Sequence, residues 1–181
     1  MVTSTIVSDN GITINQQSNK STKKYIINKK RLTLLGEYKI LDENNKVLYL
    51  IKGDWGIGRK LHVLDANSNH LATIKQTKLF WPKYDILNKE GHIINTIERV
   101  ALFKPNFSVL NSPISLKSDF FGFNFEFFNK DKIIGSIKKT KFSWNENYEV
   151  TLEEPEHEFL IINSVLIMDS IYHYGKQGFH F

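Results

Sequence analysis

Over most of the chain, apolar residues come in short runs broken by polar clusters; near the C-terminus they merge into one stretch that is apolar on almost every side. From Tyr25 onward, segments such as Tyr25-Ile26-Ile27 and Leu61-His62-Val63-Leu64 combine β-branched and aromatic side chains between clusters of Asn, Asp, Lys and Gly. That texture predicts short strands joined by tight turns. The punctuation recurs in register. Leu41-Asp42-Glu43-Asn44-Asn45-Lys46-Val47, Leu64-Asp65-Ala66-Asn67-Ser68-Asn69-His70-Leu71, Leu87-Asn88-Lys89-Glu90-Gly91-His92-Ile93 and Phe128-Asn129-Lys130-Asp131-Lys132-Ile133 each run from an apolar strand end through Asp or Asn and a polar turn to a new apolar start. Each predicts a β-hairpin. The Asp or Asn positions 42, 65, 88 and 129 are 23, 23 and 41 residues apart, so a hairpin unit of about 20 to 23 residues repeats.

The closing stretch, Phe159 to Tyr172, predicts a helix made to be surrounded, with only Asn163, Ser164, Asp169 and Ser170 interrupting its apolar surface. A surface helix would keep a continuous polar stripe. Glu153, Glu154, Pro155, Glu156 and Glu158 precede it, as suits an N-terminus where free N–H groups favour negative charge. Gly175 and Lys176 mark its stop. A membrane span needs roughly 20 predominantly apolar residues; this run is shorter and holds a carboxylate, so a buried core helix is expected, with Phe159, Ile162 and Leu166 in the core and no transmembrane span. Asp169, costly if unpaired among apolar neighbours, needs a partner or an outlet to water. One segment, His92 to Phe103, also has helical spacing of its apolar residues, but the hairpin register favours a strand there.

A chain of 181 residues with 13% aromatic side chains, thirteen of them Phe, and no cysteine is expected to be globular and strand-rich, without disulfides, thiolate metal sites or cysteine nucleophiles. No signal peptide is recognisable, so cytoplasmic residence is expected. Residues 1–35 hold six lysines or arginines against Asp9 alone, whereas residues 36–181 hold 18 basic and 18 acidic groups. The whole excess of +5 therefore sits at the start of the chain. Residues 1–23 read as a polar, flexible leader able to add one edge strand, and the basic arm either simply solvates the chain or meets phosphates of lipid or nucleic acid. The remainder, 24–181, reads as one barrel domain.

Many antiparallel strands followed by one helix too apolar to lie on a surface imply a mainly β protein, a closed antiparallel barrel threaded by that helix, since closure removes exposed sheet edges. Here the sequence resembles a known family. Tyr25-Ile26-Ile27-Asn28-Lys29-Lys30, Lys39-Ile40-Leu41-Asp42, Leu61-His62-Val63-Leu64-Asp65, Ile74-Lys75-Gln76, Pro82-Lys83-Tyr84, Tyr148-Glu149-Val150 and Val165-Leu166-Ile167-Met168-Asp169-Ser170-Ile171 together look like the LURP-one-related family, which shares the Tubby-like C-terminal fold with phospholipid scramblases. The resemblance covers roughly residues 24–175 and implies about twelve strands around a central C-terminal helix. Asn69 stands where that turn usually has glycine, and the leader has no counterpart.

Catalytic signals are weak, and no enzyme activity or cofactor is expected. Gly53 and Gly58 have phosphate-loop spacing, but Arg59 replaces the required Lys and no Ser or Thr follows Lys60, so a glycine-rich turn is the better reading. There is no G-x-S-x-G elbow, and the six histidines show no metal-ligand spacing. Scramblases, which the chain resembles, have a calcium-linked C-terminal segment, which raises cation coordination as an alternative for Asp169, with hydrogen bonds near a barrel mouth as the simpler reading. Lys78-Leu79-Phe80-Trp81-Pro82-Lys83 could place two aromatics at a headgroup interface between lysines. The recurrence of aromatic linkers at equivalent places favours core packing of Phe80 and Trp81 instead. Tubby domains, which the chain resembles, bind phosphoinositides through basic side chains, and Lys75, Lys78, Lys83, Arg99, Lys138 and Lys139 are the matching candidates by rough position. The expected function is non-enzymatic binding of anionic phospholipid at a membrane surface, or of a protein partner, with nucleic-acid binding by the basic arm as the alternative.

Overall fold

The computed structural model describes residues 22–30, 37–54, 58–78, 80–100, 106–119, 124–140 and 147–174, with the backbone alone at 30 and 172–174 and for two short strands upstream. Those two, β1 (Thr5–Val7) and β2 (Thr13–Asn15), pair with each other. The leader thus supplies a separate two-stranded ribbon and not the expected edge strand.

The main body contains β3 (Lys23–Lys30), β4 (Glu37–Asp42), β5 (Val47–Gly53), β6 (Lys60–Asp65), β7 (His70–Lys78), β8 (Lys83–Asn88), β9 (Ile93–Arg99), β10 (Phe107–Val109), β11 (Ile114–Ser118), β12 (Asn124–Asn129), β13 (Lys132–Thr140) and β14 (Asn147–Leu152). These twelve antiparallel strands close into a barrel in chain order, with β14 pairing back onto β3. A short 3₁₀ turn, Pro155–His157, leads into the helix α1 (Glu158–Tyr174). The segment from His92 is strand, as the hairpin register required. Gly175, Lys176 and parts of the aromatic linkers lie outside the described residues.

The four expected hairpins are β4–β5, β6–β7, β8–β9 and β12–β13. Their turns show why Asp and Asn recur. Asp42 Oδ1 accepts from the N–H groups of Asn44 and Lys46, and Asp65 Oδ1 from those of Asn67 and Asn69. The Asn88 side chain likewise accepts from His92 N–H. Each side chain substitutes for a backbone acceptor and bends the chain locally. The residue three places on is left-handed: Asn45, Ser68 and Gly91, at φ 61°, 68° and 86°. In the second turn the strained residue is therefore Ser68, not Asn69, whose side chain instead donates to Asp65 Oδ2 at 2.8 Å.

Alternate strand residues fill the interior, among them Tyr25, Ile27, Tyr38, Ile40, Leu61, Val63, Ala72 and Ile74. The helix fills the centre: Ile161, Ile162, Val165, Leu166, Ile167 and Met168 are buried, and Phe159 packs against the core from a half-buried position. Three of its four polar interruptions bond back to the helix backbone, although the Asn163 side-chain oxygen is buried without a partner among the described residues. Ser164 and Ser170 hydroxyls donate to the carbonyls of Leu160 and Leu166, and the Asn163 amide donates to Phe159 O. Wall and helix meet closely at Gly135, where a Cβ would stand 2.9 Å from Ile161 Cδ1 and 3.0 Å from Thr151 O.

The barrel has two unlike rims. The hairpin turns lie at one, and the chain passes from β14 into α1 on that side, because Leu152 pairs with Lys23 and Gly135. The helix therefore runs toward the opposite rim, where the β7–β8 turn lies. Among the described residues no helix is long and apolar enough to cross a membrane.

Candidate functional site

The β7–β8 turn stands on this second rim. A register shift between Gln76 and Lys78 widens the end of β7, and Thr77 Oγ1 donates across the turn to Lys83 O. Within it Phe80 is 97% exposed, contrary to the core packing expected from the aromatic linkers, and Trp81 is 39% exposed. Trp81 is fixed by its neighbour strand: Nε1–H donates to Arg99 O at 2.6 Å, and the Arg99 guanidinium lies 5.7 Å from the centre of the indole. That geometry leaves the indole edge wet and holds a cation on its face. Lys83 lies 3.6 Å from Glu98 on β9, while Lys75 and Lys78 are exposed on β7. Val100 is also 54% exposed, directly after Arg99.

Six of the eight expected contact residues, Lys75, Lys78, Phe80, Trp81, Lys83 and Arg99, thus share one sector of β7, β8 and β9. Lys138 and Lys139 do not join them, because β13 is four strands beyond β9 around a ring of twelve. Even those two part company. Lys138 is exposed opposite Glu149, whereas Lys139 lies 5.7 Å from the Tyr148 ring that it pairs with across β13 and β14.

Beneath the same rim, the Asp169 carboxylate is sealed in the barrel. Tyr38 OH donates to Oδ2 at 2.5 Å, Tyr148 OH donates to Oδ1, and Lys29 Nζ lies 2.9 Å from Oδ2. Asp169 is 1% exposed. Both oxygens accept phenols and Oδ2 also meets the lysine ammonium, so the carboxylate is accounted for by hydrogen bonds and an ion pair without a cation ligand role. The expected basic partner is there, but the two tyrosines were not foreseen.

At the other end of α1, Glu158 accepts from Tyr49 OH at 3.1 Å and from Lys23 Nζ at 3.0 Å, and Tyr25 also bonds to it. Burial opposes its charge, but the bonds from Tyr25 and Lys23 prevail and hold its carboxyl below the ordinary value. Burial followed by the Glu158 charge pushes Tyr49 up to about 12 and Tyr25 higher still.

A barrel of twelve antiparallel strands with its own C-terminal helix buried at the centre is the Tubby-like fold. The LURP-one-related family model matches residues 23–169, and the chain belongs to that family. The crystal structure of a protein from Arabidopsis thaliana is similar at a TM-score of 0.62 and 15% identity, over 85% of this chain and 93% of that one. That likeness is one of fold. No curated protein matches the chain in sequence.

Proposed function

We propose that this chain is a non-catalytic domain that meets anionic phospholipid at a membrane surface through the β7–β9 sector of its second rim. The observation that carries the reading is Phe80, almost wholly exposed and flanked by Lys78, Trp81, Lys83 and Arg99. Burying such a ring gains about 1.5–3 kcal/mol, and each free lysine near an anionic surface adds on the order of 1 kcal/mol. Lys83 adds less, because Glu98 already shares its charge. The sum supports weak, reversible, peripheral attachment, consistent with a cytoplasmic protein that visits membranes. Two of the six cations that favoured nucleic acid, Lys23 and Lys29, are engaged with Glu158 and Asp169, so the lipid reading is the stronger.

Co-sedimentation with phosphatidylcholine vesicles, with and without phosphatidylserine, tests it. Binding is expected only to the anionic vesicles, falling with salt and reduced by Phe80→Ser and Lys78→Glu but not by Lys138→Glu. Equal, negligible binding to both vesicles overturns the lipid reading and leaves a protein partner for the exposed tip.

A further inference from the structure

On the outer wall, away from that rim sector, three side chains of β6 and β7 converge. His62 Nδ1 lies 3.5 Å from His70 Nε2, His70 Nε2 lies 3.0 Å from Thr73 Oγ1, and Thr73 Oγ1 lies 3.4 Å from His62 Nδ1. The backbone explains the meeting. His62 pairs with Thr73 across the ladder, but the register shifts between Val63 and Leu64, so that Leu64 faces His70 and Leu71 is left over. Such a bulge turns the next side chain to the other face. It places His70 on the outer side with His62 and Thr73, where plain alternation would have pointed it into the barrel.

We propose that His62 and His70, with Thr73 as a weaker third ligand, form a binding site for a divalent transition metal ion of the zinc, copper or nickel class. Distances of 3.5 and 3.4 Å are long for good hydrogen bonds, which run to about 3.2 Å for N–H donors. They suit two ligands of one ion. A metal about 2.0–2.1 Å from each atom would see angles of roughly 95° to 115° between them, close to tetrahedral, with a fourth position open to water. A carboxylate also lies on the far side of His62. Asp54 Oδ2 is 3.5 Å from His62 Nε2, and its negative charge favours the Nε2–H tautomer, which leaves the Nδ1 lone pair for the ion. This carboxylate–histidine arrangement orients metal ligands generally. Lys60 shares Asp54 at 3.1 Å, and Lys52 is the cross-strand neighbour of His62. Those cations weaken the site for any positive ion, and its imidazole donors favour a transition metal over calcium or magnesium, which take oxygen ligands.

The test is titration of the untagged full chain with zinc by calorimetry, and with copper(II) by loss of amide NMR signals near the bound ion. One ion per chain is expected, with signals lost first at residues 60–63 and 70–74, and zinc should raise the melting temperature. His62→Gln and His70→Gln should each weaken binding at least tenfold while melting like the parent without metal. Asp54→Asn should weaken it about tenfold and remove the Nε2–H preference of His62 in imidazole nitrogen shifts. Three results overturn the site: no binding, undiminished binding by the double histidine variant, or signal loss centred on Glu154, Glu156 and His157, whose ligand atoms lie within 4.8 Å of one another.

Discussion

Glu158 and Asp169 stand about three turns apart on α1, and β3 sends one lysine to each: Lys23 to Glu158 at 3.0 Å and Lys29 to Asp169 at 2.9 Å. Two tyrosines join each pair, Tyr25 and Tyr49 at the first and Tyr38 and Tyr148 at the second. The two carboxylates differ in their relation to the helix. Glu158 sits at the positive end of the helix dipole, where negative charge is favoured, whereas Asp169 lies toward the negative end. The second clamp must therefore offset both burial and the dipole, and it does so with two phenols and an ammonium on one carboxylate.

Removing Asp169 should cost more than removing any surface ion pair. Asp169→Ala leaves the Lys29 ammonium and two buried phenols without their acceptor, a loss of about 3–5 kcal/mol for a broken buried pair. At roughly 2–4 °C per kcal/mol for this chain length, the melting temperature should fall by at least about 6 °C. Combining Asp169→Ala with Lys29→Met should cost less than the sum of the two single changes, measured by urea unfolding; strict additivity would mean the groups are not coupled.

The clamp at Glu158 predicts a dependence on pH at both extremes. A carboxyl held below its ordinary value contributes stability that is present above about pH 4.5 and lost as pH falls through the lower folded value. Glu158→Gln should flatten that acid limb of stability against pH. Tyr49, raised to about 12, works in the opposite sense: its share is intact below pH 10 and lost as pH rises from 10 to 12. Tyrosinate absorbance should accordingly show Tyr49 and Tyr25 ionising later than exposed phenols, and Tyr49→Phe should remove part of the alkaline loss.

Gly135 should be intolerant of even one added carbon. Gly135→Ala would press on both Ile161 Cδ1 and the rigid Thr151 carbonyl, and overpacking of this kind costs about 1–3 kcal/mol. Adding Ile161→Val, which deletes the crowded methyl, should recover part of the loss in a denaturant melt. No recovery would place the strain entirely on the Thr151 backbone.

At the β6–β7 turn, neighbouring substitutions should act in opposite directions. Ser68 holds a left-handed φ of 68°, so Ser68→Gly should stabilise by up to about 1 kcal/mol as the strain is relieved. Asn69→Gly should destabilise by a similar amount, since it deletes the bond to Asp65. Thermal melts of the two variants decide the point.

Much of the architecture was legible because local chemistry repeats. Asp42, Asp65 and Asn88 each organise a turn through their own side chains, and a helix as apolar as Phe159 to Tyr172 can be stable only when enclosed. What was hidden depends on register between distant strands. Nothing local announces that Tyr38 and Tyr148, which are 110 residues apart, reach one carboxylate, or that a single surplus residue at Leu71 turns His70 toward His62. Phe80 was misread for a related reason. It shares its linker pattern with core aromatics, and only the position of its turn on the rim, beyond the reach of the ladder, leaves it in water.

The pairing of β14 with β3 has a consequence for how the protein is made. The strand that completes the ring is the last one in sequence, and the plug follows it after a single short turn. During synthesis the earlier hairpins can form one by one, but neither ring nor plug exists until β14 and α1 have left the ribosome. Until then the inward faces of eleven strands await their filling, so the nascent chain depends on rapid late closure or on a chaperone that shields apolar surface.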